Sequence, residues 1–262
     1  MQYQGHIEKM QTTLKDGQAY YQLPIGGELV DMNPLVGQNI RLDFQGEIHC
    51  ANCGRRTNKS YSQGYCYPCS QSLARCDLCM MKPETCHHHL GTCREPQWGL
   101  DNCFQSHVVY LANSSGVKVG ITRKRNIPSR WVDQGAVQAL PILAVDSRIV
   151  SGKLEMALKA FVADKTNWRK MLKNEVETLD LPTIRDELLG QINTTEAVEL
   201  DESPLQIHYP VLQYPSKITS LNFDKTPQID GVLQGVKGQY LLLDTGVLNI
   251  RKFSAYRLTL AY

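Results

Sequence analysis

All nine cysteines of this 262-residue chain lie between residues 50 and 103, and most of them are closely paired. Three pairs have the Cys-x-x-Cys spacing, namely Cys50 with Cys53, Cys66 with Cys69, and Cys76 with Cys79. Two intervening residues allow a tight turn to aim both thiolates at one tetrahedral ion, so that two pairs complete a four-sulfur zinc site. The spacing therefore predicts zinc, with two ions per chain.

Two arrangements of these thiols fit the sequence. In a zinc ribbon the first two pairs bind one ion, and Cys76 and Cys79 bind the second with two of Cys86, Cys93, Cys103 and the nearby histidines. In a cross-braced arrangement the first and third pairs share an ion. The spacing leaves both arrangements open.

The histidine run His87–His89 adds one further candidate ligand, because three adjacent side chains cannot all reach one ion without a strained backbone. His89 is preferred, since its spacing from Cys86 matches a knuckle. Sites rich in thiolate are closed and structural, whereas catalytic zinc keeps an open position. The predicted ligands of structural zinc are Cys50, Cys53, Cys66, Cys69, Cys76, Cys79, Cys86, His89, Cys93 and Cys103.

The compartment expected from the sequence favours metal over disulfides. The opening residues MQYQGHIEKM have neither the basic start nor the apolar stretch of a secretory signal. No apolar run approaches the roughly 18 residues that a membrane span needs. We therefore expect a cytoplasmic protein without membrane contact, in which paired thiols hold metal.

Charge is distributed unevenly, although the formal net charge is only +2. Residues 50–130 contain eleven Lys or Arg against four Asp or Glu, whereas residues 174–202 contain one against nine. A basic block can meet phosphates, and an acidic block is typical of a solvated face. The predicted nucleic-acid contacts are Arg55, Arg56, Arg123, Lys124 and Arg125.

The elements that must position these residues differ along the chain. Residues 19–23 and 39–48 have the alternation of short strands, whereas residues 50–103 lack apolar periodicity and need metal in place of a core. The runs HVVYLAN and VKVGIT flank the turn residues Asn113–Gly116, which predicts a β-hairpin.

Helices are predicted after the hairpin. Leu154, Ala157, Leu158, Phe161 and Val162 form one apolar stripe with helical spacing. Two further helices are predicted, over residues 165–176 and over residues 183–192 with Thr183 as the N-cap.

The last sixty residues return to strands separated by turns, which predicts a small antiparallel meander or barrel. The expected fold is α+β, with a zinc-knuckle or ribbon segment, a small antiparallel sheet with helices, and a terminal β-unit. The predicted divisions are 1–49, 50–106, 107–200 and 201–262, where the last packs with the first.

Longer stretches resemble a known family. The run CDLCMMKPETCHHHLGTCREPQWG, followed by HVVYLANSSGVKVGITR and RWVDQGA, resembles the bacterial family catalogued as domain of unknown function 2797. Residues 107–173 also resemble the GIY-YIG nucleases, because Tyr110, Gly120, Arg130 and Glu155 stand in the order of their motifs. That likeness implies a small antiparallel sheet with flanking helices.

The GIY-YIG resemblance also implies roles. Tyr110 would be the general base or its relay, Arg130 the phosphate clamp, and Glu155 the ligand of one Mg²⁺. Lys118 stands where the second tyrosine of the motif is usual, as in branches with a KIG-type motif, and Asn167 stands for the terminal asparagine. The first motif glycine is replaced by Val108.

The leading hypothesis is therefore a zinc-containing protein that binds DNA or RNA and hydrolyses phosphodiester bonds with Mg²⁺ at a GIY-YIG-like site. The alternatives are a binding module without catalysis, attached to a ribonucleoprotein or transcription complex, and an adaptor that binds proteins through its zinc knuckles.

Overall fold

Three antiparallel sheets and six short helices form the protein in a computed structural model that describes residues 1–162 and 167–262. The predicted α+β class, with several antiparallel sheets, a cysteine cluster and C-terminal strands, is confirmed. The helices are α1 (Tyr67–Ser72), α2 (Pro96–Cys103), α3 (Ser129–Asp133), α4 (Arg148–Lys159), α5 (Trp168–Leu172) and α6 (Leu181–Leu189).

The largest sheet joins strands from both ends of the chain in the order β1-β14-β5-β11-β12-β13. Its strands are β1 (Gln2–His6), β5 (Asn39–Ile48), β11 (Gln228–Lys237), β12 (Tyr240–Leu243), β13 (Gly246–Asn249) and β14 (Tyr256–Ala261). A three-stranded sheet contains β2 (Gln11–Lys15), β3 (Gln18–Ile25) and β4 (Glu28–Asp31). The two sheets contribute to one hydrophobic core.

The third sheet is built around the predicted hairpin, which is confirmed. Its strands are β6 (His107–Asn113), β7 (Val117–Arg123), β8 (Gln138–Val145), β9 (Val198–Glu199) and β10 (Leu205–Gln206). Strand β6 lies between β7 and β8, so β7 is an edge strand. The hairpin register pairs Tyr110 with Gly120 and Ala112 with Lys118.

Strand β6 is buried on both faces because successive side chains point to opposite sides of a sheet. Val108, Tyr110 and Ala112 enter the core shared with the other two sheets. Val109 and Leu111 enter a second core, to which Leu154 and Leu158 of α4 and two leucines of α6 contribute. Helix α4 therefore covers the face of the sheet opposite to Tyr110.

Residues 50–103, which we call the cysteine segment, fold mainly as turns, 3₁₀ turns and two short helices. The segment docks onto α4 at two points. Gly152 allows a close approach, since a Cβ atom there would lie 2.5 Å from Cβ of Pro83. Nη2 of Arg148 donates a hydrogen bond of 2.6 Å to the carbonyl oxygen of Met80.

Two helix predictions need correction. The apolar stripe predicted a helix through Val162, but α4 ends at Lys159, and Phe161 is 52% exposed. The N-cap of α6 is Asp180 and not Thr183, whose amide donates to the Asp180 carboxylate.

Of the helix predicted over residues 165–176, the start lies outside the described residues, and α5 covers Trp168–Leu172. None of the helices in the described part of the chain has the length and apolar character to cross a bilayer.

Candidate functional site

Four cysteines from two turns converge at the start of the cysteine segment. The sulfur atoms of Cys50, Cys53, Cys66 and Cys69 all lie within 4.8 Å of one another, and those of Cys53 and Cys66 are 3.7 Å apart. Cys50 follows β5 in a turn closed by the amide of Gly54, whose φ of +70° favours glycine. Cys66 and Cys69 flank the first turn of α1. This cluster is consistent with zinc binding in the ribbon arrangement.

The electrostatics of this cluster suit a cation. Burial opposes ionisation of Cys50, but backbone N–H groups of Cys66, Cys53 and Asn52 lower its thiol pKa to about 6. The Asn52 amide favours the thiolate of Cys69, but burial and the neighbouring cysteines raise that pKa to about 12. The backbone N–H of Arg55 lowers the pKa of the Cys53 thiol as well. The cluster therefore favours negative charge at Cys50 and Cys53 and resists it at Cys69 unless a cation binds.

The remaining predicted zinc ligands separate into three places. Cys76 packs against the hydrophobic cluster formed by Cys50, Cys66, Cys69 and Leu73. A different, small cavity is lined by Cys79, Cys86, Cys93 and Cys103. The side chain of His89 is exposed. Possible ligand atoms of Asp77, Cys79 and His87 also lie within 4.8 Å of one another.

Tyr110 occupies a closed site on β6. Its side chain is 0% exposed, and its hydroxyl donates a hydrogen bond of 2.9 Å to Oε1 of Gln134. The ring lies across Gly120 of β7, where a Cβ atom would be 2.7 Å from the phenol oxygen. Any side chain at residue 120 would therefore displace the tyrosine. The Trp131 ring packs edge-on against Tyr110 at 5.9 Å.

Arg130 and Glu155 lie near this phenol. Burial raises the pKa of Tyr110, while the adjacent Arg130 guanidinium lowers it and the Glu155 carboxylate raises it further. Burial also raises the pKa of Glu155, against the opposing effect of Lys159, whose Nζ is 3.5 Å from Oε1 of Glu155. Arg130 and Glu155 therefore both act electrostatically on Tyr110, Glu155 from helix α4.

The two outer members of the predicted catalytic set differ in position. Lys118 is two residues from Gly120 on β7, so both lie on the face that holds Tyr110. Asn167 is the N-cap of α5, where its side-chain oxygen accepts hydrogen bonds from the amides of Arg169 and Lys170. The backbone N–H of Asn167 donates a hydrogen bond of 2.9 Å to Oγ of Ser115 in the hairpin turn.

The predicted nucleic-acid contacts are unequally available. Arg55, Arg56, Lys124 and Arg125 are exposed. The Arg123 guanidinium is partly buried, donates from Nε to the carbonyl oxygen of Asn102 at 2.7 Å, and lies over the Trp98 ring. Arg125 also donates to Asn102, at 3.0 Å.

Three residues that interact with Tyr110, Arg130 or Glu155 were not identified from the sequence. Oε1 of Gln134 accepts the hydrogen bond from the Tyr110 hydroxyl. The charge of Arg251, from the C-terminal β-unit, acts on that of Arg130. Arg148 interacts electrostatically with Glu155 and with Cys79 and Cys103. Only Arg148 carried a signal, since a cation in the first turn of a helix opposes the helix dipole.

Comparison with known proteins gives one match. The family profile described as "Protein of unknown function (DUF2797)" matches residues 37–258. No curated protein sequence and no solved structure matches this chain.

Proposed function

The chain belongs to the family described as protein of unknown function (DUF2797), and we propose that it is a nucleic-acid-binding protein with two structural zinc ions and a Mg²⁺-dependent hydrolytic site for phosphodiester bonds. The observation that carries this proposal is the electrostatic action of both Arg130 and Glu155 on Tyr110. Phosphodiester hydrolysis needs a proton acceptor for water, a cation on the non-bridging oxygens and a metal at the leaving oxygen. These three side chains are of the types that meet those needs.

The tyrosine is held for such a task by its surroundings. The Gly120 backbone and the Trp131 ring fix its ring, and Oε1 of Gln134 accepts a hydrogen bond from its hydroxyl. Arg130 favours the phenolate over the phenol, which makes proton uptake and release at the hydroxyl easier than burial alone would allow. In this proposal Lys118 and Asn167 lie at the edge of the site, as the GIY-YIG resemblance implies.

Glu155 is suited by its chemistry to hold Mg²⁺. Its carboxylate is half-buried, burial disfavours the charged form, and a nearby divalent cation would stabilise that charge. Bound Mg²⁺ would stabilise negative charge on the leaving oxygen. Arg130 would position a phosphate by its charge and its paired donors. Lys159, which contacts the Glu155 carboxylate, would have to move or share it.

Nucleic-acid binding has its own support, because exposed basic side chains follow β7 and lie in the first cysteine turn. Lys124 and Arg125 are the stronger phosphate contacts of the first group. Arg123 is held by Asn102 and Trp98 and serves to fix the loop. The phosphate of either DNA or RNA would satisfy this surface.

A binding module without catalysis is the second candidate, and the complete burial of Tyr110 favours it. A base that water cannot reach accepts no proton from it unless the site opens. Exposed Tyr67, Leu78, Met81 and Leu90 on the cysteine segment give some support to a protein adaptor as well.

The test compares zinc-loaded wild-type protein with Glu155→Gln and with Glu187→Gln, an exposed residue on α6 that serves as the matched control. Each is incubated with single-stranded, duplex and structured DNA and RNA, with and without Mg²⁺. We expect cleavage that needs Mg²⁺, that falls by orders of magnitude in Glu155→Gln and that is retained in Glu187→Gln. Binding without cleavage in every preparation would leave the binding module.

Binding is tested separately by its dependence on salt. Replacement of Lys124 and Arg125 by alanine should weaken affinity and reduce the slope of log K against log salt by about 2, one for each phosphate that is no longer neutralised. Arg55→Ala with Arg56→Ala gives the same measurement for the cysteine turn. Absence of retention on any nucleic acid at low salt would favour the adaptor.

A further inference from the structure

The second half of the cysteine segment encloses a small cavity. Cys79, Cys86, Cys93 and Cys103 line it, and its volume is about 20 Å³, which is enough for one atom the size of a water molecule. Gly99 lies at its wall, where a Cβ atom would be 2.9 Å from Cδ2 of His88 and 3.4 Å from the Cys93 sulfur. The lack of a side chain there lets α2 approach Cys93.

Other polar side chains around the cavity are already engaged. Nδ1 of His87 is 2.8 Å from Oγ1 of Thr92, and Nε2 of His88 is 3.2 Å from the carbonyl oxygen of Pro96. The Asp77 carboxylate pairs with Arg94 at 2.7 Å and accepts the amide of Cys79 at 3.2 Å. The Asp77 carboxylate also accepts a hydrogen bond from the Cys79 thiol, a contact that a bound metal would replace. Asp77, His87 and His88 therefore have other protein partners, which makes the four thiols the candidate metal ligands.

A cation from the neighbouring helix acts on two of these cysteines. The charge of Arg148 acts on Cys79 and Cys103, and its Nη2 is fixed by the Met80 carbonyl oxygen. Its Nε is buried without a hydrogen-bond partner among the described residues. A buried donor of this kind needs an acceptor, which a metal-bound thiolate would supply. Four thiolates on one divalent ion carry a net charge of −2, which the guanidinium would partly offset.

Cys76 stands apart from this group although it forms a Cys-x-x-Cys pair with Cys79. It packs against the cluster of Cys50, Cys66, Cys69 and Leu73, where the site completed by Cys53 has its four sulfurs already. The sequence pairing therefore does not predict which sulfurs share an ion.

We infer that Cys79, Cys86, Cys93 and Cys103 bind the second zinc ion as a closed tetrahedral site, and that Cys76 binds neither ion. The ligand set rests on the proposed second ion and is independent of the proposed hydrolysis. Such a site would fix α2, the loop before it and the docking surface of α4 to one another.

The test measures zinc per chain by elemental analysis on protein purified under reducing conditions. We expect two ions in the wild type, one in Cys103→Ser and two in Cys76→Ser, which is the matched control from the neighbouring pair. Asp77→Asn should also retain two ions, which separates this site from one formed by Asp77, Cys79 and His87. Loss of an ion from Cys76→Ser or from Asp77→Asn would overturn the ligand set, although two ions in the wild type would still support a second zinc site.

A second measurement uses the wild-type protein alone, in case a variant fails to fold. Native zinc-loaded protein is treated with an alkylating reagent, and the modified cysteines are mapped by mass spectrometry. Cys76 should be modified while the other eight are protected until a chelator is added. Protection of Cys76 together with Cys79, and their joint release, would contradict the inference. One zinc ion per wild-type chain would refute the second ion itself, whatever the nuclease assay shows.

Discussion

Strand β6 and the cysteine segment are neighbours along the chain, yet they are held by different forces. All seven residues of β6 are buried, and its side chains enter two hydrophobic cores. The cysteine segment has as its core three buried thiols and Leu73, and it leaves Leu78, Met81 and Leu90 exposed. Apolar burial is sufficient to order the first region, whereas we expect the second to need bonds to a metal.

The contact between the two regions extends this contrast. Gly152 and Arg148 attach the cysteine segment to α4, and Glu155 lies on the same side of that helix. Zinc is therefore expected to act on the tyrosine site indirectly, by holding the surface on which α4 rests. Variants that disturb one region and spare the other can test how separate they are.

Removal of zinc should have the largest effect. Cys53→Ser deletes one ligand of the first site, and zinc sites of this kind contribute about 10 to 16 kcal/mol of apparent binding energy to folding at neutral pH. We expect rapid hydrogen exchange throughout residues 50–72 and retained protection in β6. Exchange detected by mass spectrometry is the measurement, with the exposed Ser72→Ala as the control. Equal loss of protection in both regions would mean that they fold as one unit.

Truncation of the apolar core should have the next largest effect and the opposite pattern. Leu111 is 0% exposed in the core that includes α4, so Leu111→Ala should lower the free energy of unfolding by about 2 to 5 kcal/mol. Zinc content should stay at the wild-type value. Denaturant titration with zinc analysis checks both, and Leu212→Ala, at an exposed leucine, should change neither.

Much of this architecture could be predicted from local sequence. The hairpin follows from two apolar runs around Asn113–Gly116, and the C-terminal strands follow from turns such as Lys237-Gly238. The cluster of Cys50, Cys53, Cys66 and Cys69 follows from two Cys-x-x-Cys pairs. In each case the residues that decide the structure are close in sequence.

Sequence-based predictions were wrong where two nearby residues could play the same structural role, or where residues distant in sequence determined the local structure. Both Asp180 and Thr183 are good N-caps, but Pro182 suits the first turn of α6, which makes the residue before that turn the cap. Helix α4 begins at Arg148 and is capped by Ser147, and the apolar stripe gave no sign of this start. The environment of Cys76 depends on packing against the cluster that contains Cys50, Cys66 and Cys69, which spacing does not reveal.

Acid should destabilise the sheet through His107 by a smaller amount. Burial lowers the pKa of this histidine to about 4, so the unfolded chain binds the proton more readily than the folded one. The contribution of His107 to the free energy of unfolding is complete above pH 6.5, declines as the pH falls toward 4 and then levels off. The total decline is about 2 kcal/mol after solvent screening. Any bound zinc would also be lost in acid, so the measurement is the difference in stability between wild type and His107→Gln. A constant difference from pH 7 to 4 would contradict it.

The smallest effect distinguishes structure from chemistry at Asn167. As the N-cap of α5 its side-chain oxygen accepts the amides of Arg169 and Lys170, so Asn167→Ala should cost about 1 kcal/mol, and Asn167→Asp should restore stability because an aspartate caps equally well. A catalytic amide would behave differently, since a carboxylate cannot donate a hydrogen bond. We therefore expect any cleavage activity to follow stability, with loss in the alanine variant and recovery in the aspartate variant. Activity that stays low in a stable Asn167→Asp protein would instead place the amide in the hydrolytic site, and would tie α5 to the tyrosine on β6.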